Sequence, residues 1–487
     1  MNIIIIDKCI FYSYNYIEKC IKYKCIFIEK CNFIIEKSFE KWCKFMLYRK
    51  IETYIKKYIK SNSNKILIID GARQIGKTYI IRHVGQDAFE NYIEINMVED
   101  SIGDRLFENV KSVEDFYLQV SMQYGDRMKD KENTLIFIDE IQAYPHLLTL
   151  LKFLKTDDRY TYIASGSLLG VTLSKTTSIP MGSIEVKEMY PLDFEEFLLA
   201  NGFNQIAIES LYKKFLKKES LDENTHNKIM DLFKKYLFVG GLPDAVNSYL
   251  ETKNIVNVRT IQNEIHEYYA ADASKYDEDN RLKIRRIYDM IPSNLENKKK
   301  RVVAQNIENK KGKRFSDYQN EFDYLISSGI ALEVKAISQP TFPLLESSGK
   351  NLLKLYLNDV GILTGLLYRN NIRAILDDVK SINLGTVYES VVAQELIAHG
   401  FKLFYYDNRK KGEVDYLIDD YDELSVVPLE IKSGKDYTVH SALNEFMKNE
   451  DYNIKLGYVF SNEREVTQKG KVTYLPIYYV MFLKPNQ

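Results

Sequence analysis

The stretch that decides the fold is Lys65–Thr78, KILIIDGARQIGKT. Ile66 to Ile69 form a short apolar run rich in β-branched residues, which reads as a buried strand. The second half fits G-x-x-x-x-G-K-[ST], with Gly71, Gly76, Lys77 and Thr78 on the fixed positions. Glycines let backbone N–H groups turn inward around a polyphosphate, and the following helix aims its positive end at the same group. The pattern predicts an ATP site in which Lys77 reaches the β and γ phosphates and the Thr78 hydroxyl holds Mg²⁺. A helical pattern follows at once through Tyr79, Ile80, Ile81 and Val84.

Working outward, Tyr92–Ile95 reads as a strand, residues 104–122 as helix, and Thr134–Asp139 (TLIFID) as a strand ending in Asp139-Glu140. At that strand end Asp139 is placed to hold Mg²⁺ through its water shell, and Glu140 to orient or deprotonate the attacking water. A helix over His146–Leu154 leads to Tyr160–Ala164, a fourth strand running into Ser165-Gly166-Ser167. Ser167 or Ser165 is expected to touch the γ-phosphate or the water. Ser183–Val186 is a candidate fifth strand. Strands alternating with helices imply a parallel sheet with the nucleotide at the carboxyl ends of its strands.

No arginine occurs between Arg159 and Arg259, where ring-forming motors place trans-acting arginines. Lysines such as Lys175 supply charge but not a planar fork. A conventional hexameric motor is therefore disfavoured, with Arg73 in the P-loop or Arg159 as the substitutes; an oligomer is left open.

The 487 residues allow about three domains. A 45% hydrophobic and 28% charged composition is that of an ordinary globular protein. The net charge of −1 excludes a polycation, so DNA contact would have to come from local basic patches. No uncharged apolar run approaches the roughly 18–20 residues of a membrane span, and the cytoplasm is the expected compartment. All five cysteines and the one tryptophan, Trp42, lie in the first 43 residues. Their spacing fits neither a disulfide scaffold nor a zinc site, and residues 1–45 read as an atypical extension ahead of Met46.

The expected divisions are a P-loop ATPase core at 46–189, a helical lid at 190–279, a winged-helix-like region at 280–350 and a last α/β domain at 351–487. In the middle region, basic clusters at 298–301 and 310–314 are candidates for DNA contact. The last domain carries a second constellation: Glu389 on a predicted helix, Asp415 in GEVDYLID, then Glu430 and Lys432 in PLEIKSG. Residues two apart on a strand share a face, so Glu430 and Lys432 point toward a site within reach of Asp415. Asp415 and Glu430 are candidate ligands of Mg²⁺ or Mn²⁺, and Lys432 a group that positions water. This is the acid…acid-x-lysine order of PD-(D/E)xK nucleases, with Glu389 added from the helix.

The whole pattern resembles a large prokaryotic family of AAA-type P-loop ATPases fused to a C-terminal domain of unknown function with a PD-(D/E)xK nuclease-like fold. GARQIGKT, LIFIDEIQ, SGSLLG, MYPLDFEEFL, VGGLPDAV, LYLNDVGILTGLL and GEVDYLID…LEIKSG carry the resemblance, from residue 46 to about 440. The resemblance implies ATP binding and slow hydrolysis at Gly71, Gly76, Lys77, Thr78, Asp139 and Glu140, and a nuclease-like site at Glu389, Asp415, Glu430 and Lys432. Two functional readings follow. One is an ATPase coupled to metal-dependent DNA cleavage. The other is a nucleotide-gated DNA- or protein-binding module whose nuclease fold is catalytically silent.

Overall fold

The computed structural model describes residues 46–61, 63–167, 169, 182–273, 281–297, 300–347, 352–377, 382, 384–408, 410–434 and 438–485. The extension at 1–45, Lys175, Lys298 and Lys299 lie outside them. Tyr48–Gln487 form one compact unit.

Helix α1 (Lys50–Ser61) precedes β1 (Ile66–Asp70). The Ile-rich run is buried from Ile66 to Ile69, as an interior strand covered on both faces requires. After α2 (Lys77–Ala88), β2 (Asn91–Asn96), β3 (Thr134–Asp139), β4 (Thr161–Gly166) and β5 (Ile184–Glu188) complete a 5-stranded sheet in the order β2-β3-β4-β1-β5. Every pairing is parallel, so all strand carboxyl ends share one edge. Inserting β4 between β1 and β3 brings the P-loop, Asp139-Glu140 and Ser165–Ser167 together.

Between β2 and β3 the helix starts later than the apolar pattern predicts, at α3 (Val113–Tyr124). A Ser112–Asp115 capping box fixes that start. Just before it, the Asp100 carboxylate accepts the Leu106 and Phe107 N–H groups, holding 103–112 as a loop that buries Phe107. Helix α4 (Pro145–Asp157) covers the same face of the sheet.

The segment expected as a lid is helical, with α5 (Phe194–Ala200), α6 (Gln205–Leu216), α7 (Glu223–Val239), α8 (Pro243–Thr252) and α9 (Ile255–Ala273). Short helices and α10 (Gln319–Ser327) lead to β6 (Ala331–Ile337) and β7 (Leu353–Leu357), which pair antiparallel. This pair differs from a free wing. β6 also pairs in parallel with β8 (Leu403–Asn408), and both belong to an 8-stranded mixed sheet, β12-β13-β11-β10-β9-β8-β6-β7. The expected division at residue 350 thus falls inside one sheet, because backbone pairing across distant segments leaves no local pattern. The remaining strands are β9 (Gly412–Asp420), β10 (Ser425–Ile431), β11 (Gly457–Ser461), β12 (Thr467–Lys469) and β13 (Val472–Pro476). Helix α11 (Val360–Tyr368) follows β7, and α12 (Gly385–Ala398) is buried on all sides from Thr386 to Leu396.

Four stretches far apart in sequence meet at one junction. Leu192 N–H donates to the Gly241 carbonyl (2.7 Å), Gly241 N–H donates to Asp359 Oδ2 (2.6 Å), and Phe194 N–H donates to Glu395 Oε1 (2.8 Å). Asp359 also caps α11 by accepting the Ile362 N–H (3.0 Å). Gly240 has φ 74°, and a Cβ there would lie 2.2 Å from Asp359 Oδ1, so only glycine fits against the carboxylate. Burial raises the Asp359 pKa to about 6, partly offset by these N–H bonds. Asp359→Ala strands two buried N–H groups and is expected to lower unfolding stability by about 2–4 kcal/mol, read as a lower urea midpoint.

Candidate functional site

Strand β1 ends on Asp70, and the loop after it turns through Gly71 (φ 147°), Gln74 (φ 63°) and Gly76 (φ 92°) into α2. A Cβ on Gly71 would lie 2.3 Å from the Met189 carbonyl oxygen, so this glycine is required by close approach as well as by its dihedral. Lys77 Nζ donates to the Gly71 (2.9 Å) and Ala72 (2.8 Å) carbonyls, holding the ammonium inside the loop. Burial lowers the Lys77 pKa, opposed by Glu140, Asp70 and Asp139.

The Thr78 hydroxyl donates to Asp139 Oδ2 at 2.9 Å, joining the start of α2 to the end of β3. Ser165 Oγ bonds the other Asp139 oxygen. Burial raises the Asp139 pKa, while Ser165 and Thr78 pull it down. Glu140 has φ 53° at the strand end, and Ser167 Oγ donates to its Oε2 at 3.2 Å. Arg73 Nε donates to the same Ser167 oxygen at 3.2 Å. Thus Gly71, Arg73, Gly76, Lys77, Thr78, Asp139, Glu140 and Ser167 meet at one edge of the sheet. Of the two serines, Ser167 bonds the Glu140 carboxylate and Arg73, whereas Ser165 bonds the Asp139 carboxylate and accepts the Glu140 N–H at 3.4 Å.

Arg73 is also held from the lid. Its Nη1 donates to Asp272 Oδ1 and to the Tyr268 hydroxyl, both at 2.7 Å, and Tyr269 donates to its carbonyl at 2.7 Å. Burial would lower its pKa, but Asp272 and Glu140 hold it above the ordinary value. Arg159, the other substitute, precedes β4 and so lies at the opposite edge of the parallel sheet, paired with Asp157 at 2.9 Å. Arg259 is buried among the carbonyls of Phe238, Gly361 and Arg369, a structural role.

Two residues escaped the sequence reading. Gln142 is buried two positions past Glu140; its amide donates to Glu140 Oε2 and to Ser167 Oγ (3.1 Å). Its only signal is its place in LIFIDEIQ. Arg49, in a segment that reads as a surface helix, is buried; its Nη1 donates to the Ile75 carbonyl (3.0 Å) and its Nε to Glu196 (3.2 Å). It props the P-loop from behind. A cavity of about 510 Å³, lined by Gly71, Ala72, Tyr190, Gly329, Lys335 and Phe404, also backs onto the loop. Lys77, Thr78, Asp139 and Glu140 do not line it, so it is distinct from the phosphate face.

In the second sheet, Asp415 on β9 and Glu430 on β10 lie one step past the Leu429–Tyr416 pair. Ile431 N–H donates to Asp415 Oδ2 at 2.8 Å. Lys432 Nζ donates to Glu430 Oε1 at 2.8 Å, while the buried Glu430 Oε2 has no partner among the described residues. Glu389 comes from α12 and is bonded by the Lys300 ammonium, with the Tyr356 hydroxyl 3.5 Å from its other oxygen. The predicted set is therefore brought together. Burial, then Glu389 and Glu430, pushes the Asp415 pKa well above the carboxylate range; burial also raises Glu430. For Lys432 burial acts downward, but Glu430 carries its pKa above the usual lysine value.

The expected Mg²⁺ or Mn²⁺ ligands Asp415 and Glu430 lie side by side on β9 and β10, with Glu430 paired to Lys432. Among the described residues no three His, Cys, Asp or Glu side chains are placed to hold a metal. Lysine ammonium groups take the oxygens instead. Besides Lys300 and Lys432, the fully buried Lys354 on β7 pairs with Glu413, its ammonium 4.5 Å from the Tyr405 ring centre. In the candidate DNA-contact cluster 298–301, of which 298 and 299 lie outside the described residues, Lys300 pairs with Glu389 and Arg301 with Asp407 at 3.1 Å. Lys310 and Lys313 approach Glu308 at 3.5 and 3.6 Å.

Residues 63–198 match a family described as an AAA domain, 230–373 a Domain of unknown function (DUF8612), and 384–480 a Domain of unknown function (DUF4143). The P-loop sheet is accordingly an AAA-type ATPase-like domain. Over the whole chain, the uncharacterized protein MJ1637 of Methanocaldococcus jannaschii is 25% identical over 459 residues, covering 91% of this chain and 90% of that protein. MJ1544 of the same organism is 24% identical over 370 residues, 74% of this chain and 73% of that one. Among solved structures, the Walker-type ATPase paby2304 of Pyrococcus abyssi aligns over 66% of this chain and 96% of its own, at 12% identity and a TM-score of 0.41. The Thermotoga maritima RuvB Holliday junction branch migration motor aligns over 57% and 88%, at 13% identity and 0.27. No helix among the described residues is long and apolar enough to cross a membrane.

Asp70 supplies a pH test of the site. Burial raises its pKa from 3.8 to about 6, against the Gly71 N–H bond and Lys77. The folded state therefore holds this proton more tightly than the unfolded chain does, and stability falls as pH rises from about 4 to 6. Asp70→Asn removes that loss. Its urea-unfolding stability should exceed wild type by up to about 3 kcal/mol at pH 7, the two converging below pH 4.

Proposed function

We propose that the protein binds and hydrolyses ATP at the P-loop, and that this cycle switches a nuclease-like C-terminal module. The observation that carries the reading is the Thr78–Asp139 hydrogen bond, which sets the hydroxyl and carboxylate side by side with Glu140 and Ser167 adjoining. Those two oxygens suit Mg²⁺, which needs one or two protein donors and completes its shell from phosphate and water. Bound there, Mg²⁺ would neutralise charge on the β and γ phosphates. Lys77 would exchange its loop carbonyls for phosphate oxygens. Glu140 would orient and deprotonate the water, held in place by Gln142 and Ser167. Arg73, in the same loop, would supply the positive charge that ring motors take from a neighbour, so turnover needs no closed oligomer.

For the C-terminal module, DNA cleavage and silent binding remain the two readings. The ammonium groups on Glu389 and Glu430 support the silent one for the arrangement described here, with DNA or a protein as the partner. No cleavage step is drawn through these acids while lysines hold them.

Lys77→Ala should abolish ATP binding while the fold is retained, as measured by fluorescent-nucleotide titration and circular dichroism. Glu140→Gln should keep that binding and lose at least about 10²-fold in phosphate release. Unchanged turnover in Glu140→Gln would remove the glutamate from the mechanism. Supercoiled plasmid incubated with Mg²⁺ or Mn²⁺, with and without ATP, should stay intact; nicking that Lys432→Ala abolishes would select the cleavage reading.

A further inference from the structure

Four carboxylates, Glu389, Glu413, Asp415 and Glu430, crowd one face of the second sheet, and three ammonium groups answer them. Buried acids at this density repel one another unless a cation sits among them. Two of the cations belong to the sheet: Lys354 on β7 and Lys432 at the end of β10. The third, Lys300, comes from outside it. Its segment is hooked onto β7 by the Val302 N–H bond to the Leu353 carbonyl (2.9 Å), and Lys300 itself has φ 45°, unusual for a side chain of this kind. Its ammonium lies on Glu389, the acid contributed by α12, and also feels the charge of Asp415. Glu430 Oε2 is buried, 6% of the residue being exposed, and accepts no hydrogen bond among the described residues. A buried carboxylate oxygen without a donor marks a place for a cation that Lys300 and Lys432 do not fill.

We infer that Lys300 is an internal cation standing in place of a divalent metal. While it holds Glu389, the acids Glu389, Asp415 and Glu430 do not form a metal site; withdrawn, it leaves three carboxylates that take one hard, oxygen-seeking cation of the Mg²⁺ or Mn²⁺ kind. The inference rests on the nuclease-like reading of these three acids. An ammonium bonds carboxylate oxygens at about 2.8 Å and carries one charge; Mg²⁺ binds them at about 2.1 Å and carries two. The two cannot share the same oxygens. Ahead of Lys300 the chain runs through the helices Arg281–Asp289 and Ile291–Glu296, and Arg285 of the first pairs with Glu267 on α9 at 3.2 Å. Glu267 adjoins Tyr268, one of the residues that hold Arg73, so the plug and the P-loop are linked through one lid helix.

The test is calorimetric titration of Mn²⁺ into the full chain without nucleotide, comparing wild type, Lys300→Ala, Lys300→Arg and the double variant Lys300→Ala/Glu389→Gln. The expected result is Mn²⁺ affinity at least about tenfold higher in Lys300→Ala than in wild type, a gain absent from Lys300→Arg and abolished in the double variant. Equal affinity in wild type and Lys300→Ala, or binding by neither, overturns the inference. Should Lys300→Ala fail to fold by circular dichroism, Lys300→Gln, which keeps a donor toward Glu389 without the charge, is held to the same criterion. Plasmid cleavage separates this inference from the reading beneath it. Lys300→Ala that gains Mn²⁺ yet leaves plasmid intact sustains the plug and ends the cleavage reading. Wild type that binds Mn²⁺ as tightly as Lys300→Ala and nicks plasmid does the reverse.

Discussion

Arg73 is the constraint around which the amino-terminal site is assembled. A guanidinium set within a phosphate-binding loop needs partners before any phosphate arrives, and it draws them from two directions. Ser167 comes from the end of β4, while Tyr268 and Asp272 come from the lid helix α9. The same contacts that neutralise the cation therefore dock the lid on the sheet and keep Ser167 beside Glu140. Nucleotide competing for Arg73 would compete with the lid for it as well. This is a physical route from phosphate to lid that uses one side chain already present in the loop.

The second site obeys a different balance. Burial raises the pKa values of Asp415 and Glu430, yet the fold also brings ammonium groups onto Glu389, Glu413 and Glu430. Lysine is a compact point charge that can be moved in and out on a flexible stem, unlike arginine with its fixed fork. A cation supplied by a neighbouring segment is thus better suited to a reversible arrangement than one built into a strand.

Between the two sites lies α12, buried on all sides. Its Glu395 accepts from the backbone at the start of α5, and its Gln394 accepts the Val360 N–H of α11 while donating to Tyr236 on α7. Polar groups at a buried helix need partners within the protein, and here α5, α7 and α11 provide them for Glu395 Oε1 and the Gln394 amide. That requirement explains why MYPLDFEEFL, VGGLPDAV and LYLNDVGILTGLL belong together: they are three sides of one hydrogen-bonded junction.

Residues next to one another in sequence determined what local physics controls. The Ile-rich run, the glycine spacing and Lys77-Thr78 specify a strand, a phosphate loop and a helix start, because these depend on dihedral freedom and short-range pattern. TLIFID and PLEIKSG likewise announce strands with acids at one end. The grouping of Glu389, Asp415, Glu430 and Lys432 was legible because their order along helix and strands nearly fixes their meeting. What only the tertiary structure decided is every contact that spans a long loop. Arg49 and Lys300 each sit in lysine-rich stretches that look like solvated surface, and both turn inward to distant acids or carbonyls. Gln142 gains its role only when β4 lies beside β3. The joining of β6 to β8 runs across the boundary expected at residue 350. Charge pairing and sheet register act through space, between residues whose separation along the chain carries no periodic signal, and so they appear only once the chain is folded.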